Sequence, residues 1–144
     1  MTVAGYEIST DAARLDRGLV HRFLHDEAYW ALGVPRDVVE RCIDNSICFG
    51  VYRDGEQVGF ARVVTDRAAI AYLADVFVVA GHRGRGLGTW LMECVMAHPE
   101  LQGLRRFMLG TKDAHALYER FGFRPLSEPE RMMEVASPYK PGPE

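Results

Sequence analysis

No stretch of this 144-residue chain reaches the roughly 18 consecutive apolar residues that a membrane-spanning helix needs, so a helical bilayer span is excluded and no membrane partner is expected. A surplus of one charge is missing too. Seventeen Lys and Arg stand against twenty Asp and Glu, a net charge of −3, so no global basic field draws the chain onto nucleic acid. Cysteine is scarce: Cys42, Cys48 and Cys94 make an odd number without a CxxC spacing, which excludes a disulfide framework and a thiolate zinc cluster. Their apolar neighbours mark them as small buried hydrophobes in a reducing compartment. The five histidines (21, 25, 82, 98 and 115) show no ligand spacing, so no metal is expected. Met1 to Thr10 does not join a basic region to an apolar run, and a cytoplasmic location is expected. Repeats, low-complexity linkers and composition breaks are lacking as well. The expectation is a single domain over 1–136 and a loose tail over 137–144, where three prolines and a glycine fall.

What is present reads as alternating helices and strands. Tyr6 to Ser9 has strand character, and Thr10-Asp11 looks like a helix start. Leu15, Leu19, Val20, Phe23 and Leu24 then recur at helical spacing. His25 to Gly33 breaks that period while keeping Tyr29 and Trp30, so it reads as a loop with aromatic content. Pro35 suits the first turn of a second helix carrying Val38, Val39, Cys42 and Ile43 on one face. A β-meander follows: Ile47 to Tyr52, a turn at Asp54-Gly55, the return Gln57 to Val64, and a turn at Asp66-Arg67. Ala68 to Val79 is nearly continuous apolar chain, as in a central strand covered on both faces, and Asp75 alone interrupts it. Leu104 to Leu109 reads as a strand and Asp113 to Phe121 as a short helix ended by Gly122. Phe123 begins a last strand, and Met132 to Val135 is a candidate for one more.

Between the long strand and the next helix lies Gly81-His82-Arg83-Gly84-Arg85-Gly86-Leu87-Gly88. A helix N-terminus presents unpaired backbone N–H groups and the positive end of a dipole, and glycines let an anion approach that backbone closely. Arg83 and Arg85 add charge, and His82 is placed to assist. The chemistry is that of a phosphate-binding turn, but two familiar nucleotide motifs fail on spacing. No Gly-Lys followed by Ser or Thr occurs, and Gly84, Gly86 and Gly88 give GxGxG with Thr89 where a dinucleotide fingerprint needs its final glycine.

Arg83-x-x-Gly86-x-Gly88 resembles the acyl-CoA pyrophosphate motif of the GNAT acetyltransferases, Arg/Gln-x-x-Gly-x-Gly/Ala. Ala114-x-x-x-Tyr118-x-x-x-Gly122-Phe123 is similar to the family's tyrosine-bearing helix and the turn into its closing strand, and the order of elements agrees from about Tyr6 to Phe123. The fold this resemblance implies is α/β: a mixed, mostly antiparallel central sheet of six to seven strands with helices on both faces. The cofactor it implies is acetyl-CoA, and the reaction is transfer of the acetyl group to a primary amine by direct attack in a ternary complex.

Carried over residue by residue, the resemblance assigns the following roles. The long strand splays from its neighbour, and backbone at Val76, Phe77 and Val78 would hold pantetheine, with an N–H near Val78 facing the thioester oxygen. The amides of Gly84, Arg85, Gly86, Leu87, Gly88 and Thr89, beside Arg83, would cradle the pyrophosphate. Thr111 stands where many members carry an Asn and would bond the cofactor by its hydroxyl. Tyr118 would be the general acid for the departing thiolate. Ala74 replaces a glutamate that several members use, which leaves Asp75 or a water chain to take the amine's proton. Tyr29 and Trp30 in the first interhelical loop, with Tyr72 on the long strand, would meet the acceptor, and aromatic faces suit a cationic amine. A small-molecule amine is the expected acceptor. A protein lysine or N-terminus, or a catalytically silent acyl-CoA-binding module, are the alternatives. Monomer and homodimer both fit.

Overall fold

The computed structural model describes residues 1–139. Strand β1 (Glu7–Ser9) leads through a single 3-10 turn at Ala12–Arg14 into α1 (Arg17–Asp26). Asp11 caps only that turn, accepting from the Ala13 N–H, because Leu15 returns to extended backbone. The cap of α1 is Asp16, whose carboxylate accepts from the Leu19 N–H, so the helix starts later than Thr10-Asp11 suggests. Pro35 is the extended residue before α2 (Arg36–Asp44) rather than a member of its first turn.

Strands β2 (Ile47–Arg53), β3 (Glu56–Thr65) and β4 (Ile70–Val78) form the expected antiparallel meander. Asp54 and Gly55 both take positive φ, 50° and 81°, the backbone a two-residue hairpin turn requires. Helix α3 (Leu87–Ala97) follows the glycine loop, β5 (Arg106–Leu109) runs parallel to β4, and α4 (His115–Glu119) completes the order. The sheet runs β1-β2-β3-β4-β5.

Five strands are present among the described residues, not six to seven. Phe123 and Met132–Val135 are apolar enough for strands but join no sheet ladder among the described residues. Met133 and Val135 are fully exposed and bury nothing against the sheet, so strand-like composition alone yields no strand. Of the expected loose tail 137–144, Ser137 to Tyr139 carry no regular structure, and 140–144 lie outside the described residues.

Alternation along the strands sorts apolar side chains onto two faces. Ile47, Phe49, Val51, Ala61, Val63, Ala71 and Leu73 pack with Leu87, Leu91, Met92 and Val95 of α3 and Tyr118 of α4. Cys48, Phe60 and Phe77 pack with Val20, Phe23 and Leu24 of α1 and Val39 and Ile43 of α2. Phe23 stacks on Phe77 at 4.0 Å between ring centroids. The helices thus cover both faces, as expected.

One irregularity creates the site. Arg62 pairs with Ala74 and Phe60 with Phe77, so two residues of β4, Asp75 and Val76, oppose Ala61 alone. Asp75 takes φ 55° in this bulge, a left-handed conformation that Asp tolerates better than most residues. The extra residue switches faces: Leu73 points toward α3, whereas Phe77 points toward α1. Pairing of β4 with β5 ends just before it, at Leu73 and Leu109. Beyond those residues the two strands part.

Candidate active site

A cavity of about 380 Å³ opens beside these strand ends and reaches under α1 and α2, where Val20, Leu24, Val39 and Ile43 line it. Leu73 to Val76 line one wall, Leu109, Gly110 and Thr111 the other, and the interhelical aromatics Tyr29 and Trp30 also border it. Of the residues singled out in the sequence, it brings together Tyr29, Trp30, Tyr72, Asp75, Val76, Thr111 and Tyr118. Phe77, Val78 and the glycine loop do not line it. They connect to it through the end of β4, where the Arg83 Nε donates to the Val78 carbonyl at 2.8 Å.

Asp75 sits at the centre of a small network. Its Oδ2 accepts from the Arg62 Nε at 2.8 Å, and its Oδ1 from the Trp30 indole N–H at 2.8 Å. Arg62 also donates to the Ser46 hydroxyl at 3.2 Å, and that hydroxyl donates to the Cys42 carbonyl near the end of α2. Burial alone would lower the Arg62 pKa, but the charge and hydrogen bond of Asp75 outweigh it and hold the guanidinium above its ordinary value. Arg62 went unremarked in the sequence. The signal was there: it is the one long cation inside an otherwise apolar returning strand, which asks for a buried partner.

Tyr118 is 8% exposed, and burial pushes its phenol above the ordinary tyrosine value, with Tyr29 and Asp113 acting in the same direction. It also borders a second cavity of about 270 Å³ on the far side of β5, which Leu109, Gly110 and Thr111 share. Tyr118 is therefore shared by the two spaces. The Thr111 hydroxyl accepts from the Ala114 N–H at the start of α4, which leaves its own hydrogen to donate. Tyr72 is exposed, with its hydroxyl beside Gly110.

The glycine loop has the geometry of an anion cradle. Gly84 and Gly86 take φ 76° and 84°, and Gly86 caps α3 without any side-chain hydrogen bond, so no side chain of the cap occupies the helix's first N–H groups. No heavy atom lies near where a Gly84 Cβ would project. Leu87 is buried beneath the loop, Gly88 faces Leu117 of α4, and Thr89 sits in the first turn. Arg85 is exposed and makes no ion pair among the described residues. His82 is otherwise engaged: its Nδ1 is 2.8 Å from the Tyr6 hydroxyl, which also accepts from Arg53.

The sequence profile of the Acetyltransferase (GNAT) family matches residues 17–123. The chain belongs to the GNAT acetyltransferase family. A provisionally named acetyltransferase of Gibberella zeae is 32% identical over 165 residues, covering 99% of this chain and 92% of its own. A crystal structure of a GNAT-family protein from Xanthomonas campestris pv. campestris is 51% identical and superposes with a TM-score of 0.94, over 99% of this chain and 100% of that one. At 13% identity, an acetyltransferase structure from Clostridium acetobutylicum, determined with acetyl-CoA, shares the fold. Its TM-score is 0.67 over 91% of this chain and 94% of its own. In this GNAT acetyltransferase β4 parts from β5, α3 starts without a side-chain cap, Tyr118 of α4 is buried, and an acid of β4 is tied to a distant tryptophan.

Proposed function

We propose that this chain moves an acetyl group from acetyl-CoA to the primary amine of a small molecule, by direct attack within a ternary complex. The observation that carries the reading is the cavity where β4 leaves β5 beneath α1 and α2, with the buried Tyr118 among its lining residues. Near the end of β4 lies the uncapped N-terminus of α3. Residues present fit the cofactor: the open space over Gly84 and the free first N–H groups of α3 suit a pyrophosphate, with Arg83 and Arg85 alongside.

When bound, acetyl-CoA supplies a thioester for the amine to attack. The amides from Gly84 to Thr89 would hold the pyrophosphate, and backbone of Val76, Phe77 and Val78 would hold pantetheine, with an N–H near Val78 available to stabilise negative charge. Thr111 donates its hydroxyl hydrogen into the same passage. Burial keeps the Tyr118 proton in place at neutral pH, and its Oη would supply that proton to a departing thiolate. The acceptor enters beside Tyr29, Trp30 and Tyr72, where aromatic faces attract a cation. An ammonium must lose a proton before attack, and Asp75, through the lone pairs that Arg62 and Trp30 leave open, or a chain of water takes it. A cavity of about 380 Å³ bordered by the interhelical loop suits a small amine better than a lysine on a folded protein surface.

Calorimetric titration of acetyl-CoA, beside a Gly86→Trp variant, tests the cofactor site. A panel of polyamines, amino acids, aminoglycosides and lysine peptides, followed by mass spectrometry, tests the acceptor. Micromolar binding lost in the variant and turnover of at least one small amine are expected, with Tyr118→Phe lowering kcat at least about 100-fold at unchanged acetyl-CoA affinity. Absence of binding, or acetylation of peptides alone, would overturn the reading.

A further inference from the structure

Two neighbouring side chains of the interhelical loop reach opposite arms of the opened sheet. Trp30 donates its indole N–H to Asp75 on β4 at 2.8 Å. The hydroxyl of Tyr29 accepts the backbone N–H of Lys112, just past β5, at 3.0 Å, and the Lys112 ammonium stands 5.3 Å over the Tyr29 ring. The two rings meet edge to face at 5.1 Å, so the dipeptide is one unit. Its base is fixed as well. Ala28 and Ala31 are buried on either side, and the loop backbone closes on itself through Ala31 to Ala28 and Gly33 to His25 hydrogen bonds.

Both rings are nonetheless about half exposed, 50% for Tyr29 and 43% for Trp30. Core packing therefore does not explain why they hold these positions. The hydrogen bonds do, and the more consequential one ends on a charged group. Each carboxylate oxygen of Asp75 has two lone pairs; Arg62 occupies one on Oδ2 and Trp30 one on Oδ1. Two fixed donors from different segments restrain the carboxylate plane, and Asp75 is among the residues that line the cavity.

We propose that Trp30 is a positioning residue for acetyl transfer: with Arg62 it aims the Asp75 carboxylate at the acceptor's ammonium, while Tyr29 ties the same loop to the opposite arm. This rests on the proposed function, since it needs an amine in the cavity. Trp30 acts through Asp75 and requires no contact with the reacting atoms. Its N–H is therefore the operative group, and its ring area is secondary.

The test separates those two. Trp30→Phe keeps the ring against Tyr29 and removes the N–H, whereas Trp30→His supplies an N–H on a smaller ring. With the fastest-reacting amine of the panel above, Trp30→Phe is expected to lower kcat/KM for the amine about tenfold, the scale of a lost hydrogen bond to a charged group. The KM for acetyl-CoA should stay within twofold, and Trp30→His should recover part of the loss. An amine kcat/KM within twofold of wild type, or no recovery by histidine, overturns the proposal. A second measurement needs no acceptor. The chain has two tryptophans, so Trp90→Phe assigns the two indole N–H resonances. The Trp30 resonance should move upfield in Asp75→Asn, a variant whose side chain tolerates the left-handed backbone. An unmoved resonance also overturns the proposal. Should no panel amine react, the proposed function fails through the panel while the indole resonance still decides the Trp30–Asp75 bond.

Discussion

Cys48 illustrates how a single buried side chain sets a pH limit. It is 5% exposed, and burial pushes its thiol up from 9.0 to about 11, with the positive charges of Arg62 and Arg17 too weak to compensate. The carbonyls of Ile43 and Ser46 lie 3.7 and 3.9 Å from its sulfur, and acceptors there favour the protonated form. The folded value exceeds the unfolded one, so the contribution to stability is complete below about pH 9 and is lost as pH rises toward about 11. Two units correspond to about 2.7 kcal/mol at most. Urea unfolding at pH 8 and pH 11 should therefore show wild type losing more stability between the two than Cys48→Ala, which has no thiol to ionise. Parallel losses would mean that other groups, such as the buried phenols, govern the alkaline limit. Neither the 9-to-11 window nor the partners were visible in the sequence, where Cys48 reads only as a small hydrophobe.

At the scale of elements, the unit from the end of β4 into α3 divides its work between backbone and side chains. Arg83 is the first residue of the motif, yet its Nε is tied to the Val78 carbonyl, so part of its role is to hold the loop against the strand. Gly86 must take φ 84°, and a Cβ there would meet only the flexible end of Met1 at 3.0 Å. The cost of Gly86→Ala is thus mainly the left-handed backbone, about 1–2 kcal/mol, together with displacement of the first N–H groups of α3. Acetyl-CoA affinity by calorimetry should fall more for Gly86→Ala than for Arg83→Ala; the reverse order would shift the cradle from the main chain to the guanidinium. This unit was legible beforehand, because glycine spacing before a helix has few physical meanings. The hairpin at Asp54-Gly55 was legible for the same reason. The last two expected strands were not, since a strand exists only where another edge accepts its hydrogen bonds. Sequence shows composition, and it cannot show that β5 is left without a further partner among the described residues.

Across the whole molecule, two apolar layers on opposite faces of one sheet are joined where β4 changes face, and the charge placed at that junction is Asp75. The sequence displayed it as the one acid in an apolar run but could not display its partners, which come from β3 and from a loop 45 residues away. With side-chain exposures of 15% and 10%, Arg62–Asp75 is the least exposed ion pair among the described residues. Removing one member of such a pair strands the other charge in a poorly solvated place, a penalty of roughly 3–5 kcal/mol, whereas removing both avoids most of it. Arg62→Leu is accordingly expected to lower the free energy of unfolding in urea by about that amount. The double variant Arg62→Leu/Asp75→Asn should recover at least half, because asparagine carries no charge and keeps the left-handed backbone available. It should also still accept the Trp30 N–H, so the loop over the cavity stays tied while the pair is gone. Equal losses in the single and double variants would show that Arg62 stabilises through its span from β3 to Ser46 and the end of α2. In that case the junction would be held by the reach of the side chain, and the charge of Asp75 would be free to serve the acceptor alone.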